Sequence, residues 1–107
     1  MRIRPDDQAV HDDVAALLRA GRFSDALVPA ALQADRLGVL PRSLTFLAEI
    51  VRRGGTAYAA ELPEPLPTPE QSALVRPWLH PEAGDERLAR WLDGVAAVIE
   101  ARRVSRR

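Results

Sequence analysis

The stretch "ADRLGVLPRSLTFLAEI", residues 34–50, places a small residue, Ala34, four positions before Gly38, and then Pro41 ahead of Leu44 and Leu47, with Val51 just beyond. Glycine can take the left-handed backbone that ends a helix, and proline is pre-set for the first turn of the next one. The spacing therefore predicts a helix ending at Gly38, a short turn, and a third helix from Pro41 to about Arg53, closed by Gly54 and Gly55. On a helical projection Leu40, Leu44, Leu47 and Val51 cluster inward, whereas Phe46 lies roughly 120° from their centre and is expected at the surface.

Upstream of this corner, Val10, Val14, Leu17 and Leu18 recur at helical spacing, which predicts a first amphipathic helix over about residues 7–20, stopped by Gly21. Between Gly21 and Gly38, Pro29 leaves two readings. Either Ser24 caps a helix that tolerates Pro29, or residues 23–27 form a turn and Pro29 begins a short helix. The second is cleaner, because proline belongs at helix starts and removes a backbone donor elsewhere.

Downstream, TAYAAEL (56–62) reads as a short helix, and PEPLPTP (63–69), with prolines at 63, 65, 67 and 69, reads as a stiff polyproline II connector. Thr68 and Gln71 have the spacing of a reciprocal helix cap, starting a helix that must end before Pro77. Pro81 and Asp85 both offer starts for a last helix, on which Leu88, Trp91, Leu92, Val95, Val98 and Ile99 share one arc. Alternation never persists over a strand's length. The expectation is one all-α domain over 1–107, of five or six helices with a helix-turn-helix-like corner. It divides into an N-terminal helical unit (7–62), a connector (63–69), and C-terminal helices with a basic tail (70–107). The apolar arc of the last helix looks wider than so small a unit can cover, which predicts a homodimer face at Leu88, Trp91, Val95 and Ile99.

Composition bounds the function. A chain of 107 residues with 47% apolar and 28% charged side chains suits one soluble domain. All 15 basic residues are Arg and there is no Asn, which reads as a GC-rich, bacterial-like coding bias, so arginine alone is no sign of nucleic acid. The absence of Cys excludes disulfides, thiolate zinc sites and thiol catalysis. No apolar run approaches the ~18 residues of a membrane span, and the N-terminus runs into acidic residues, so neither membrane nor export is expected and a cytoplasmic setting fits. Charge sums to zero but is unevenly placed: Asp6, Asp7, Asp12 and Asp13 stand without Arg, while Arg102, Arg103, Arg106 and Arg107 crowd the tail.

The wording "ADRLGVLPRSL" resembles the "LGVSPRTL" phrase of helix-turn-helix DNA-binding regulators, including MerR-like ones, over residues 34–50. That resemblance implies that Pro41, Arg42, Thr45, Phe46 and Glu49 face a DNA groove, with Leu44 and Leu47 inward. The chain departs from the pattern at Leu40, where a polar cap is usual, at Gln33, where an apolar residue is usual, and at Phe46, where a polar reader is usual. Only Arg42 offers the donors that base readout needs, and Glu49 on the same face repels phosphates. GRFSDAL (21–27) resembles the G-x-[FY]-x-x-A-[LI] junction of a tetratricopeptide repeat; Gly21 and Ala26 recur as Gly55 and Ala60, but Phe23 maps to Ala57 and Leu27 to Glu61, which leaves a helical hairpin rather than an array.

Other clusters carry little chemistry. His11, Asp12 and Asp13 are consecutive and splay by about 100° each on a helix, and His80 and Glu82 flank a proline, so both sets read as solvated polar residues or helix-start charge. Trp78 and Trp91 read as core. No catalytic residue, metal site, cofactor or small-molecule substrate is expected. The sequence points to a non-enzymatic interaction module, an adaptor or small subunit of a complex, that presents Arg42, Thr45, Phe46, Glu49, Arg52 and Arg53 to a protein partner or to itself. The alternative is a small DNA-binding transcriptional regulator using that helix, with Arg52, Arg53 and the tail on phosphates.

Overall fold

The computed structural model describes residues 5–105, with side chains from residue 8 onward; the Asp6 and Asp7 side chains of the acidic run, and Arg106 and Arg107 of the tail, lie outside the described residues. Six α-helices follow one another: α1 (Pro5–Arg19), α2 (Phe23–Arg36), α3 (Pro41–Gly54), α4 (Thr56–Glu61), α5 (Pro69–Val75) and α6 (Asp85–Ser105). Single 3-10 turns at Arg76–Trp78 and Pro81–Ala83 join the last two, and no strand occurs among the described residues, so the chain is a small all-α domain.

The 21 residues of α6 span about 31 Å at the helical rise. That length approaches the molecule's largest dimension, 35 Å. Leu88, Ala89, Trp91, Leu92, Val95, Ala96 and Ile99 are all buried along it. That stripe is too wide for one neighbour, and it has two: α3, whose buried residues are Leu44, Leu47, Ala48 and Val51, and α2, which meets it through Phe23 against Trp91. α1 closes over α2. Trp91 stands edge-on to Trp78 at 5.0 Å and to Phe23 at 6.3 Å between ring centroids, and its indole N–H donates to the Phe23 carbonyl at 2.9 Å. Each fully buried Leu here contributes about 1.5–3 kcal/mol relative to an exposed site. Both tryptophans are core, as expected. The anticipated dimer face is corrected: Leu88, Trp91, Val95 and Ile99 are buried within the single chain and present no surface to a second copy.

Pro29 does not start a helix. It lies inside α2, so the helix is continuous through the proline and the cleaner-looking reading is overturned, but Ser24 does not cap it: the helix starts at Phe23, with Arg22 at the N-cap and no side-chain cap bond. The missing donor deprives the Asp25 carbonyl, on a residue that faces water. Meanwhile Phe23, Ala26, Ala30 and Ala34 form one buried stripe that crosses the proline, and breaking the helix there would unseat it.

The corner itself is a Schellman stop. The Val39 N–H donates to the Ala34 carbonyl at 2.9 Å and the Gly38 N–H to the Asp35 carbonyl at 3.1 Å, with Gly38 at φ +76°. Val39 and Ala34, the pair whose apolar contact accompanies this motif, are both fully buried. Leu40 was expected inside; it is exposed at the N-cap of α3, and Val39 takes the core position instead.

Connector 63–69 also departs from expectation. The backbone bends at Pro63 and again through residues 65–68 instead of running straight, because Leu66 is buried and both its N–H and its carbonyl bond to the Ser72 hydroxyl. Thr68 caps α5 by accepting from the Gln71 N–H at 3.2 Å, while the Gln71 side chain turns away from the expected reciprocal bond and donates to the Leu37 carbonyl. Similar long reaches satisfy other helix ends, whose last carbonyls and first amides have no partner within the helix. Arg76 donates to the Ala60 carbonyl in the last turn of α4 and to the carbonyls of Leu62 and Pro63 just beyond it, and the Asp85 carboxylate accepts from the Thr56 N–H at its start.

Candidate functional site

α3 has two faces. Leu44, Leu47, Ala48 and Val51 are buried, and at helical spacing this leaves Arg42, Thr45, Phe46, Glu49 and Arg53 toward solvent. Phe46 is 67% exposed, although burying a phenylalanine is ordinarily favourable. Beyond the helix end, the turn at Gly54 and Gly55 sends α4 back so that Tyr58, itself 54% exposed, lies against Gly54: a β-carbon there would sit 2.7 Å from the tyrosine Cδ2. Phe46, Glu49, Ile50, Arg53, Gly54 and Tyr58 line one open groove of about 530 Å³. Its walls are aromatic and aliphatic, and its rim carries one carboxylate and one guanidinium.

The charges of this face divide into held and free. Arg52 is held: its guanidinium bonds to Asp93 at 2.7 Å, to Glu49 at 3.2 Å and to Glu86 at 3.3 Å, tying α3 to α6. Hydrogen bonding to Asp93 first, then to Glu86 and Glu49, raises its proton affinity above that of an ordinary guanidinium, so it stays a fixed cation. Arg53 is 85% exposed and reaches Glu49 only loosely, at 3.6 Å. Thr45 turns its hydroxyl back to the Arg42 carbonyl, a bond local to the helix. The expected set therefore does not act as one group: Arg42, Phe46, Glu49 and Arg53 face outward, Thr45 is locally bonded, and Arg52 belongs to the α3 to α6 joint.

Two arginines of the tail are engaged as well. Arg102 and Arg103 each reach the Asp35 carboxylate at 3.4 Å, and Arg103 donates to the Val39 carbonyl at 3.1 Å. The Asp35 side chain is only 7% exposed, so the end of α6 supplies the positive charge that a covered carboxylate requires. In addition, α2 and α3 touch each other sparsely and are bridged by α6.

The histidine readings need correction. His11 is buried rather than solvated: its Nε2 lies 3.1 Å from the Leu74 carbonyl and its Nδ1 3.3 Å from the Gln8 amide, linking α1 to the end of α5. A neutral ring donating from Nε2 and accepting at Nδ1 satisfies both. His80 meets Glu82 at 3.4 Å, and its side chain too is largely covered. No group of three or more metal-binding side chains comes together among the described residues, nor is any described helix long and apolar enough to cross a membrane.

Sequence reasoning found Phe46 and its charged neighbours but missed Ile50, Gly54 and Tyr58. The signal for the missing half was the paired glycine: a helix that stops at Gly54 and restarts at Thr56 changes direction there, and the next aromatic comes to line the same groove as the first. Comparison with protein-family models, with curated proteins and with solved structures finds no match for this chain.

Proposed function

We propose that this chain is a non-enzymatic, cytoplasmic protein-interaction module, an adaptor or small subunit of a complex, whose binding face is the groove between the outer side of α3 and Tyr58. One observation carries the reading: two exposed aromatics from different helices, Phe46 and Tyr58, line the same groove, with Glu49 and Arg53 beside them. Aromatics ringed by a few charges are the composition of interface hot spots, and a ring left in water on a rigid helix loses little entropy on binding. The DNA-binding alternative draws less support, since Arg52, Arg102 and Arg103 are already engaged by carboxylates within the chain, Arg52 by Glu49, Glu86 and Asp93 and the other two by Asp35.

The test is affinity capture with the wild-type chain, a Phe46→Ala variant and a Val28→Ala control, Val28 being another exposed apolar residue. Truncating a hot-spot aromatic costs about 2–4 kcal/mol, so Phe46→Ala loses the captured protein while Val28→Ala retains it. Retention by Phe46→Ala sinks the proposal. So does salt-sensitive binding of mixed-sequence duplex DNA that disappears in an Arg42, Arg53 double alanine variant, because phosphate binding must weaken steeply with salt.

A further inference from the structure

The face on α3 is self-complementary, and we infer that its occupant is a second copy of this chain, docked with the two α3 helices antiparallel about a two-fold axis level with the midpoint of Glu49 and Arg53. The inference rests on the interaction reading of the groove and names the partner for it.

Charge gives the register. Glu49 and Arg53 lie one helical turn apart on the exposed side of α3 and carry opposite signs. When two antiparallel helices meet about the midpoint between such residues, Glu49 of each copy falls opposite Arg53 of the other, and two ion pairs form. Shifting the axis one helical turn toward the N-terminus sets Arg42 against Arg53, a like-charge contact that disfavours that register.

Shape selects the same register independently. Phe46 projects on one side of the axis, five residues or about 7.5 Å from it along the helix. By symmetry Phe46 of the other copy arrives at the level of residue 56, next to the wall that Gly54 and Tyr58 build. That wall is apolar, open and wide enough for a ring, in a groove of about 530 Å³. Glycine at 54 leaves the room that the Tyr58 ring occupies. Knob and hole therefore insert twice, once on each side of the axis, as an isologous contact requires. Arg53 is free to leave its loose intrachain contact with Glu49 for the opposing copy, while Arg52 keeps Glu49 anchored to α6 through Asp93 and Glu86.

The experiment is the solution mass, by light scattering after size exclusion and by sedimentation at about 100 μM, of the full chain and three variants. Wild type runs with the mass of two chains, and Phe46→Ala with that of one. Glu49→Arg alone and Arg53→Glu alone each set like charges across the axis twice and run as single chains. Mixed one to one, these two variants restore both ion pairs and return to the mass of two chains, a result that no other register reproduces. All four must share the helical circular dichroism of wild type, which substitutions at exposed positions leave intact. A wild-type chain with the mass of one overturns the inference, and the Phe46-dependent capture of a different protein then still decides the interaction reading. A wild-type dimer that survives both charge reversals and Phe46→Ala also overturns it, because its contact lies elsewhere.

Discussion

Gly54 does two jobs as a residue: it ends the exposed run of α3, and it makes room for the ring of Tyr58, the chain's one tyrosine. A methyl group there keeps helical backbone geometry and gains about 0.5–1 kcal/mol in helix propensity, yet it collides with the ring, including the tyrosine Cβ at 3.3 Å. Gly54→Ala should therefore lower the melting temperature, the collision outweighing the propensity gain, while shifting the Tyr58 ring resonances and weakening binding at the groove. Unchanged ring shifts would mean that Tyr58 does not rest where the structure has it. At the same scale, several polar contacts had no local signature. The bonds of His11 to Leu74, Arg76 to Ala60 and Arg103 to Val39 join residues far apart in sequence, and which carbonyl an arginine reaches depends on packing that no spacing rule contains. Phe46 was legible because its angle on α3 depends only on helical periodicity.

At the scale of the element, helix starts and stops marked by local chemistry were readable: Pro41 opens α3, Gly38 stops α2 in a Schellman turn, and Thr68 caps α5. Where tertiary packing competes with local preference, the preference loses. Pro29 is the clearest case, since burial of Phe23, Ala26, Ala30 and Ala34 keeps α2 continuous through a residue that should break it. The element predicts its own repair: Pro29→Ala restores the donor to the Asp25 carbonyl, offset in part by a less restricted unfolded chain. A gain of about 1–2 kcal/mol in chemical denaturation is expected, and a loss of stability would mean that the proline is needed for the shape of α2. The bent connector follows the same logic, with burial of Leu66 and its two bonds to Ser72 prevailing over the straight run that alternating prolines favour.

For the molecule as a whole, α6 does most of the organising. It separates α2 from α3, holds Arg52 through Asp93 and Glu86, and brings Arg102 and Arg103 onto Asp35 at the corner. The consequence is a division of surfaces: the apolar arc of α6, which looked available for dimerisation, is covered by its own chain, and the exposed aromatics lie instead on the far side of α3. The width of that arc was legible in the sequence, but which helices cover it is a tertiary fact. Phe46 is where contact of this face with protein can be tested directly. Phe46 is replaced by photoreactive p-benzoylphenylalanine, Val28 by the same residue in a matched control, and both chains are irradiated inside the producing cell. A covalent protein adduct is expected from position 46 and none from position 28, its mass that of two chains if the partner is a second copy. No adduct from position 46, or equal adducts from both positions, would contradict the interaction reading.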